Sequence, residues 1–247
     1  MSLYRDEGVV LRTQKLGEAD RIITVLTREN GRVRAVGKGV RRTSSKFGSR
    51  LEPFTHIDAQ FYAGRSLDIV TQVESLASYG ADIAGDYARY TAGTAMLETA
   101  ERLTDVEKEP AVQQYLLMVG GLRALAAGEH EAGSVLDSYL LRSLAVAGYA
   151  ASFDACTRCA AAGPHRWLSV EAGGSVCSDD RPAGAATVSA DALEVLSALL
   201  TGDWQVVDTA EPRHLRESTG IVAAYTQWHL ERGLRSLPHV SRETTTT

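Results

Sequence analysis

Residues 22–50 read IITVLTRENGRVRAVGKGVRRTSSKFGSR, and they carry the strongest indication of how the first part of the chain folds. Two short β-favouring runs, residues 22–26 and 33–36, flank the dipeptide Asn30-Gly31. Asn-Gly suits a two-residue type I′ turn because both residues tolerate a positive φ. A segment rich in Lys and Arg follows the second run. The stretch therefore predicts a β-hairpin that leads into a basic loop.

Three more strands are predicted around this hairpin. Residues 9–11 form an apolar run before it, residues 57–61 alternate between apolar and polar, and residues 67–73 form a fifth run. Five short strands within about 75 residues indicate a small barrel, with residues 37–50 between the third and fourth strands. This is the ground plan of an OB-fold, a barrel that commonly binds single-stranded nucleic acid. An SH3-like barrel is the alternative on the same strands.

From about residue 80 the apolar period changes from two to nearly four, which predicts helices. Five helices are expected. Three are predicted over about 83–97, 132–147 and 215–237, one begins at Pro110, and one is capped by Ser189. The predicted fold class is α+β and multidomain. Residues 1–79 form an OB-fold β-barrel, and residues 80–247 form an all-α domain with a zinc-ribbon-like insertion at about 153–183.

Charge is distributed unevenly in a chain whose formal net charge is −5. The first fifty residues hold 12 basic and 5 acidic residues, and the remainder holds 14 basic and 26 acidic ones. Crowded like charges repel one another, and a bound polyanion relieves that repulsion. The asymmetry predicts one surface for an anion and another for a different partner. Residues 31–50, hereafter the basic segment, contain no acidic residue and seven cations: Arg32, Arg34, Lys38, Arg41, Arg42, Lys46 and Arg50.

The three cysteines predict a metal site. Cys156 and Cys159 form a CxxC pair, and Cys177 follows at zinc-ribbon spacing, but Asp180 stands where a fourth cysteine belongs. Zinc also accepts carboxylate oxygen, so these four residues can close a Cys₃Asp site. His165 is a second candidate for the fourth ligand. The alternative is a ribbon whose thiols bind no metal.

The sequence carries no complete catalytic signature. The glycines at 31 and 37 have the wrong spacing for a phosphate loop, and Lys38 is followed by glycine where that loop needs Ser or Thr. The only HxE, which begins at His229, follows the cysteines, whereas a nucleobase deaminase needs it before a PCxxC. We therefore expect no enzymatic activity. Without a visible signal peptide or membrane-spanning run, and with few cysteines, a cytoplasmic, nucleoid-associated location is expected.

Several stretches together resemble one family along nearly the whole chain. They are YRDEGVVL at residues 4–11, GEADRII at 17–23, VGKGVRR at 36–42 and GSRLEPF at 48–54, followed by helices interrupted by the cysteines. The chain resembles the bacterial RecO family of DNA repair and recombination mediators, and its Ala, Gly and Arg content is similar to that of actinobacterial members.

The resemblance implies a protein that binds single- and double-stranded DNA and anneals complementary strands. It also implies ATP-independent loading of RecA, with RecR, onto strands covered by single-stranded-DNA-binding protein. The alternative is a zinc-ribbon protein-interaction module without intrinsic annealing. Carried over by position, the DNA contacts are Arg34, Lys38, Arg41, Arg42, Lys46 and Arg50, and the zinc ligands are Cys156, Cys159, Cys177 and Asp180. The acidic tail of the single-stranded-DNA-binding protein is expected to contact the helical part, at Arg213, Arg216, Arg232 and Arg235.

Overall fold

A computed structural model describes residues 2–43, 45, 47–230 and 234–241. The chain forms two compact units, residues 1–127 and residues 128–247. The first unit contains the β-barrel together with three helices. The predicted domain division after residue 79 follows the change from strand to helix periodicity, and it stays a prediction. Within the described parts of the chain, no helix combines the length and apolar character that crossing a membrane requires.

Five strands close a barrel in the order β1-β2-β3-β5-β4. All neighbours are antiparallel except β3 and β5, which pair in parallel through Ala35 with Asp68 and Val36 with Ile69. This Greek-key closure gives the predicted OB-fold rather than the SH3-like alternative. The strands are β1 (Leu3–Leu16), β2 (Asp20–Thr27), β3 (Gly31–Gly37), β4 (Thr55–Tyr62) and β5 (Asp68–Ser78).

The barrel core comes from alternating apolar side chains. Buried and half-buried residues alternate along the whole of β3 and β4, as strands with one face inward require. In β1, the pairing with β2 shifts register between Val10 and Arg12. Such a bulge lets a long strand bend as the sheet closes. The inward side chains include Val10, Ile23, Val25, Val33, Ala35, Ile57, Ala59, Phe61 and Val70.

The turn between β2 and β3 differs from the prediction. Thr27 pairs with Gly31, so three residues form the turn, and only Gly31 has a positive φ, of 60°. The Asp6 carboxylate accepts hydrogen bonds from the backbone amides of Glu29 and Asn30 and from the Asn30 side chain. The type I′ prediction is wrong because this distant carboxylate holds Asn30 in another conformation.

Helices complete the first unit. They are α1 (Gly80–Ala84), α2 (Tyr87–Leu103) and α3 (Val112–Ala127). Asp86 caps α2 by accepting a hydrogen bond from the amide of Arg89. The connection between α2 and α3 runs beside β3, where the Lys108 amide donates to the Arg32 carbonyl at 2.9 Å. Acidic and carbonyl groups of this connection therefore lie against the start of the basic segment.

The second unit is a helical cluster with a small sheet inserted in it. Its helices are α4 (Ala132–Val146), α5 (Ala190–Thr201), α6 (Trp204–Thr209) and α7 (Pro212–His229). Ser189 caps α5 as predicted, and Gly202 ends it with a φ of 84°. Between α4 and α5 lies a three-stranded sheet in the order β7-β6-β8. Its strands are β6 (Trp167–Ser169), β7 (Gly174–Val176) and β8 (Ala186–Thr187).

Candidate nucleic-acid interface and metal centre

The basic segment is built into the barrel. Val40, Phe47 and Leu51 point into the core and are 8%, 2% and 0% exposed. A short 3₁₀ helix, Gly48–Leu51, ends the segment. Phe47, the one aromatic residue of the segment, is therefore a core residue. The apolar anchors hold the polar residues between them on the outside of the barrel.

The turn between β1 and β2 is hydrogen-bonded to the same segment. The Gly39 amide donates to Asp20 Oδ1 at 2.7 Å, and the Arg41 amide donates to the Ala19 carbonyl at 3.0 Å. The Arg41 guanidinium donates to the carbonyls of Gly17 and Glu18, at 3.3 and 2.9 Å. Loops in this position take part in ligand binding by OB-folds. Residues 17–20 were not predicted as site residues, although the expected OB-fold pointed to this loop.

Among the described residues of the basic segment, two cations face solvent without a partner. Lys38 and Arg42 are exposed, and neither side chain makes a hydrogen bond or an ion pair with any described residue. Arg50 is also exposed and has an interaction of its own. Lys46 lies outside the described residues. Lys38 and Arg42 are thus charges that a phosphate can reach without displacing a protein group.

The two cations within β3 are held by the end of α2 and by the α2–α3 connection. Arg34 pairs with the Glu107 carboxylate at 3.4 Å. Arg32 donates to the backbone carbonyl of Glu101 at 3.3 Å and to that of Asp105. Sequence reasoning grouped Arg34 with the loop cations because Glu107 is 73 residues away in the chain. Its assignment to DNA stays a prediction, but a phosphate must compete with a carboxylate for it.

The four predicted metal ligands lie together in the ribbon. The ligand atoms of Cys156, Cys159, Cys177 and Asp180 are all within 4.8 Å of one another. Cys159 Sγ is 3.8 Å from Cys177 Sγ, and Asp180 Oδ2 lies 3.2 Å from Cys177 Sγ and 3.6 Å from Cys156 Sγ. His165 is not in this group, and its Nε2 is 2.9 Å from the Ala161 carbonyl.

The distances fit a tetrahedral ion. With Zn–S bonds of about 2.3 Å and a Zn–O bond of about 2.1 Å, tetrahedral geometry requires edges of about 3.8 Å between sulfurs and about 3.6 Å between sulfur and oxygen. The Cys159–Cys177 and Cys156–Asp180 separations match these two edges, and the Cys177–Asp180 separation of 3.2 Å is shorter than the sulfur–oxygen edge by about 0.4 Å. Three thiolates and one carboxylate also suit zinc chemically. The residues present therefore fit a zinc ion.

Hydrogen bonds within the ribbon shift the pKa values of the predicted metal ligands. Amides of Cys159 and Cys177 point at Cys156 and lower the pKa of its thiol to about 7. Hydrogen bonds from the thiols of Cys159 and Cys177 lower the pKa of Asp180, and the bond to Asp180 raises the pKa of Cys159 to about 12. In the absence of a metal, the thiols donate hydrogen bonds to the Asp180 carboxylate. A bound metal ion would take the place of the thiol protons.

The ribbon fold explains how the ligands meet. The Ala160 amide donates to the Cys156 carbonyl, and the Cys156 amide donates to the Ala161 carbonyl, both at 2.9 Å. The Thr157 amide donates to the Ser175 carbonyl of β7 at 2.9 Å. The first cysteine turn is therefore fixed beside the strand that leads to Cys177.

The four arginines predicted to bind an acidic tail have different surroundings. Arg213 is exposed and pairs with Glu211 at 3.0 Å. Arg216 is exposed on α7, and Arg235 is exposed beyond it with an interaction of its own. Arg232 lies outside the described residues. The described members do not single out one acidic-peptide groove, and the assignment stays a prediction.

Family comparisons cover both segments of the chain. Residues 1–79 match the model of the Recombination protein O N terminal, and residues 84–238 match that of the Recombination protein O C terminal. DNA repair protein RecO of Streptomyces avermitilis is 65% identical, with 98% of this chain and 100% of the relative aligned. The RecO proteins of Streptomyces griseus and Thermobifida fusca are 64% and 62% identical over the same shares. The chain belongs to the RecO family of DNA repair proteins.

Proposed function

We propose that this chain is a non-enzymatic recombination mediator that binds single- and double-stranded DNA through the basic segment and anneals complementary strands. The observation that carries the proposal is the position of Lys38 and Arg42. Both are exposed and unpaired among the described residues, in an acid-free segment beside the β1–β2 turn of an OB-fold. Cations in this position are available to a phosphate backbone.

Annealing requires screening of phosphate repulsion without reading of sequence. Lys and Arg bound to phosphates release counterions and carry no base preference. The anchors at Val40, Phe47 and Leu51 keep the segment on the barrel surface while Lys38 and Arg42 stay in water. In annealing, the barrel would therefore supply a cationic surface that binds phosphates of any base sequence.

The ribbon is proposed to hold one structural zinc ion through Cys156, Cys159, Cys177 and Asp180. When bound, the ion would supply a cross-link between the two ligand turns and no chemistry on a substrate, since four protein ligands leave no open position. Further proposals rest on family membership: cooperation with RecR, contact with the tail of the single-stranded-DNA-binding protein, and loading of RecA.

An annealing assay tests the DNA function. Lys38→Ala/Arg42→Ala should slow the pairing of complementary oligonucleotides and weaken single-strand affinity on the order of tenfold at low salt, because two phosphate contacts are lost. The matched control is Arg5→Ala/Arg28→Ala, which removes the same charge from barrel arginines that pair with Asp58 and Glu7. Its activity should stay close to that of the parent.

The alternative is a protein-interaction module built on the ribbon. Absence of DNA binding and annealing in the parent at low salt would favour it and contradict the proposal. The tail contact has a separate test, in which an acidic tail peptide is titrated against Arg216→Ala and against Arg213→Ala. Weaker binding is expected only for Arg216→Ala, because Arg213 already has Glu211 as its partner. Equal affinities would remove Arg216 from the contact.

A further inference from the structure

The ribbon carries a second cationic site, with an aromatic ring at its centre. The guanidinium carbon of Arg181 lies 3.5 Å from the centroid of the Trp167 ring, and that of Arg166 lies 5.8 Å from it. Both arginines are exposed and the indole is half-buried. Two cations are thus held close to one flat ring on the surface of the ribbon.

The strand pattern of β6 explains why the ring lies outside. Trp167 begins β6 and pairs with Val176 on one side and Thr187 on the other. The next residue, Leu168, is 2% exposed and points into the unit. Side chains alternate across a strand, so the indole lies on the opposite face of the sheet from the Leu168 side chain and stays half-buried. Arg181 reaches it from the turn that also contains Asp180.

Neither arginine has a carboxylate partner among the described residues. The contrast matters because residues 128–247 contain 15 acidic and 9 basic residues. On a surface rich in carboxylates, these two guanidiniums stay without a carboxylate partner around one ring, and their like charges repel. A bound anion that contacts both would reduce that repulsion.

We propose that Arg166, Trp167 and Arg181 form a second contact for single-stranded nucleic acid, separate from the barrel. A guanidinium binds phosphate through paired hydrogen bonds, and both guanidinium planes and indole rings stack on bases. A nucleotide offers a phosphate and a flat base together, whereas an acidic peptide would use only the cations. Bases must be unstacked to reach such a ring, which selects single strands.

The contact would add a task to the proposed function. Annealing brings two strands together, and a chain with one cationic site in each unit can hold two segments of nucleic acid. The site does not depend on the barrel interface, since it shares no residue with it. The two proposals can therefore fail independently.

Tryptophan fluorescence reports on the site directly. In a Trp204→Phe/Trp228→Phe background, Trp167 is the only tryptophan, and an oligo-dT should quench its emission as bases stack. Adding Arg166→Ala/Arg181→Ala should abolish most of the quenching and weaken affinity about five- to tenfold. The salt slope should fall by about 1.4, at about 0.7 per phosphate contact. Arg5→Ala, at an exposed arginine paired with Asp58, is the control and should leave quenching unchanged.

Ultraviolet cross-linking of the parent to the same oligonucleotide needs no substitution, and the adduct is expected on the peptide that contains Trp167. Zinc content and circular dichroism identify any variant that has lost the ribbon. Undiminished affinity in a folded Arg166→Ala/Arg181→Ala variant, with no adduct in the parent, overturns the inference. Quenching by an acidic peptide but not by oligo-dT overturns it in favour of a protein contact. If Lys38→Ala/Arg42→Ala loses DNA binding and Arg166→Ala/Arg181→Ala does not, the result supports DNA binding by the barrel and contradicts the ribbon contact.

Discussion

Short sequence patterns predicted both the basic segment of the barrel and the cysteine ribbon. The two predictions differ in how many of their residues have the expected surroundings in the structure. In the basic segment, seven cations in sequence reduce to two, Lys38 and Arg42, that are exposed and unpaired among the described residues. In the ribbon, all four predicted ligands come together even though Asp180 replaces a cysteine. A ligand spacing is set by local turns, whereas the availability of a charge depends on distant partners.

Metal removal is the change with the largest expected effect, because zinc binding to zinc-finger peptides is worth about 10–16 kcal/mol. One zinc per chain is expected by elemental analysis. A chelator should abolish hydrogen-exchange protection of residues 152–188 while the barrel strands keep theirs. Cys177→Ser should behave like the chelated protein, and Ser178→Ala, an exposed neighbour, should behave like the parent. A zinc-free parent with a protected ribbon would contradict the metal site.

Phe47→Ala tests whether the basic segment belongs to the core. The ring is 2% exposed among barrel side chains, so its removal should lower the free energy of unfolding by about 3–5 kcal/mol. Chemical denaturation measures the change. Ser49→Ala, in the exposed part of the same segment, should cost less than about 0.5 kcal/mol. Similarly small losses of unfolding free energy for Phe47→Ala and Ser49→Ala would show that the segment is not packed into the barrel core.

Asp68 provides a measure of how strongly distant partners hold a charge in this unit. Its carboxylate is 1% exposed and accepts hydrogen bonds from Tyr4, from the Gly64 amide at 2.9 Å and from Lys108 at 2.9 Å. Burial raises the pKa of Asp68, but these bonds together outweigh it and lower the pKa. Asp68→Asn should cost about 1–3 kcal/mol at neutral pH, measured by denaturation.

The pH dependence follows from the sign of that shift. A carboxyl whose pKa is lower in the folded state contributes stability above its unfolded pKa, and the contribution is lost as pH falls through the folded pKa. The difference in unfolding free energy between parent and Asp68→Asn should therefore shrink in acid. A difference that stays constant down to acidic pH would mean that the cost is packing rather than charge.

Periodicity predicted much of the fold, and long-range partners account for most errors. A β-favouring run placed β3 and alternation placed β4 correctly, and Ser189 and Gly202 bounded α5 as expected. The Asn30-Gly31 turn was wrong because Asp6 reshapes it from another strand. The last helix ends at His229 rather than near Leu237, which lies in a separate 3₁₀ turn.

The exposure and the partners of individual side chains also depended on segments that are distant in the sequence. Tyr87 and Tyr90 share the spacing of a buried helical face but are 67% and 46% exposed. No sequence signal joined Arg34 to Glu107 or Arg181 to Trp167, because each contact depends on how separate segments pack. The CxxC turn needed only local geometry, so spacing placed Cys156 and Cys159 together, whereas the choice between Asp180 and His165 stayed open until the structure placed Asp180 beside the thiols.

The measurement that tests the central claim most directly compares the salt dependence of single-strand binding for Arg42→Ala and Arg34→Ala. Each variant loses one positive charge from the basic segment, but only Arg34 has a carboxylate partner, Glu107. We expect Arg42→Ala to lower the slope of log affinity against log salt by about 0.7, the value for one phosphate contact, and Arg34→Ala to leave it unchanged. Equal losses, or a loss for Arg34→Ala alone, would contradict the claim that ion pairing decides which cations of this segment bind DNA.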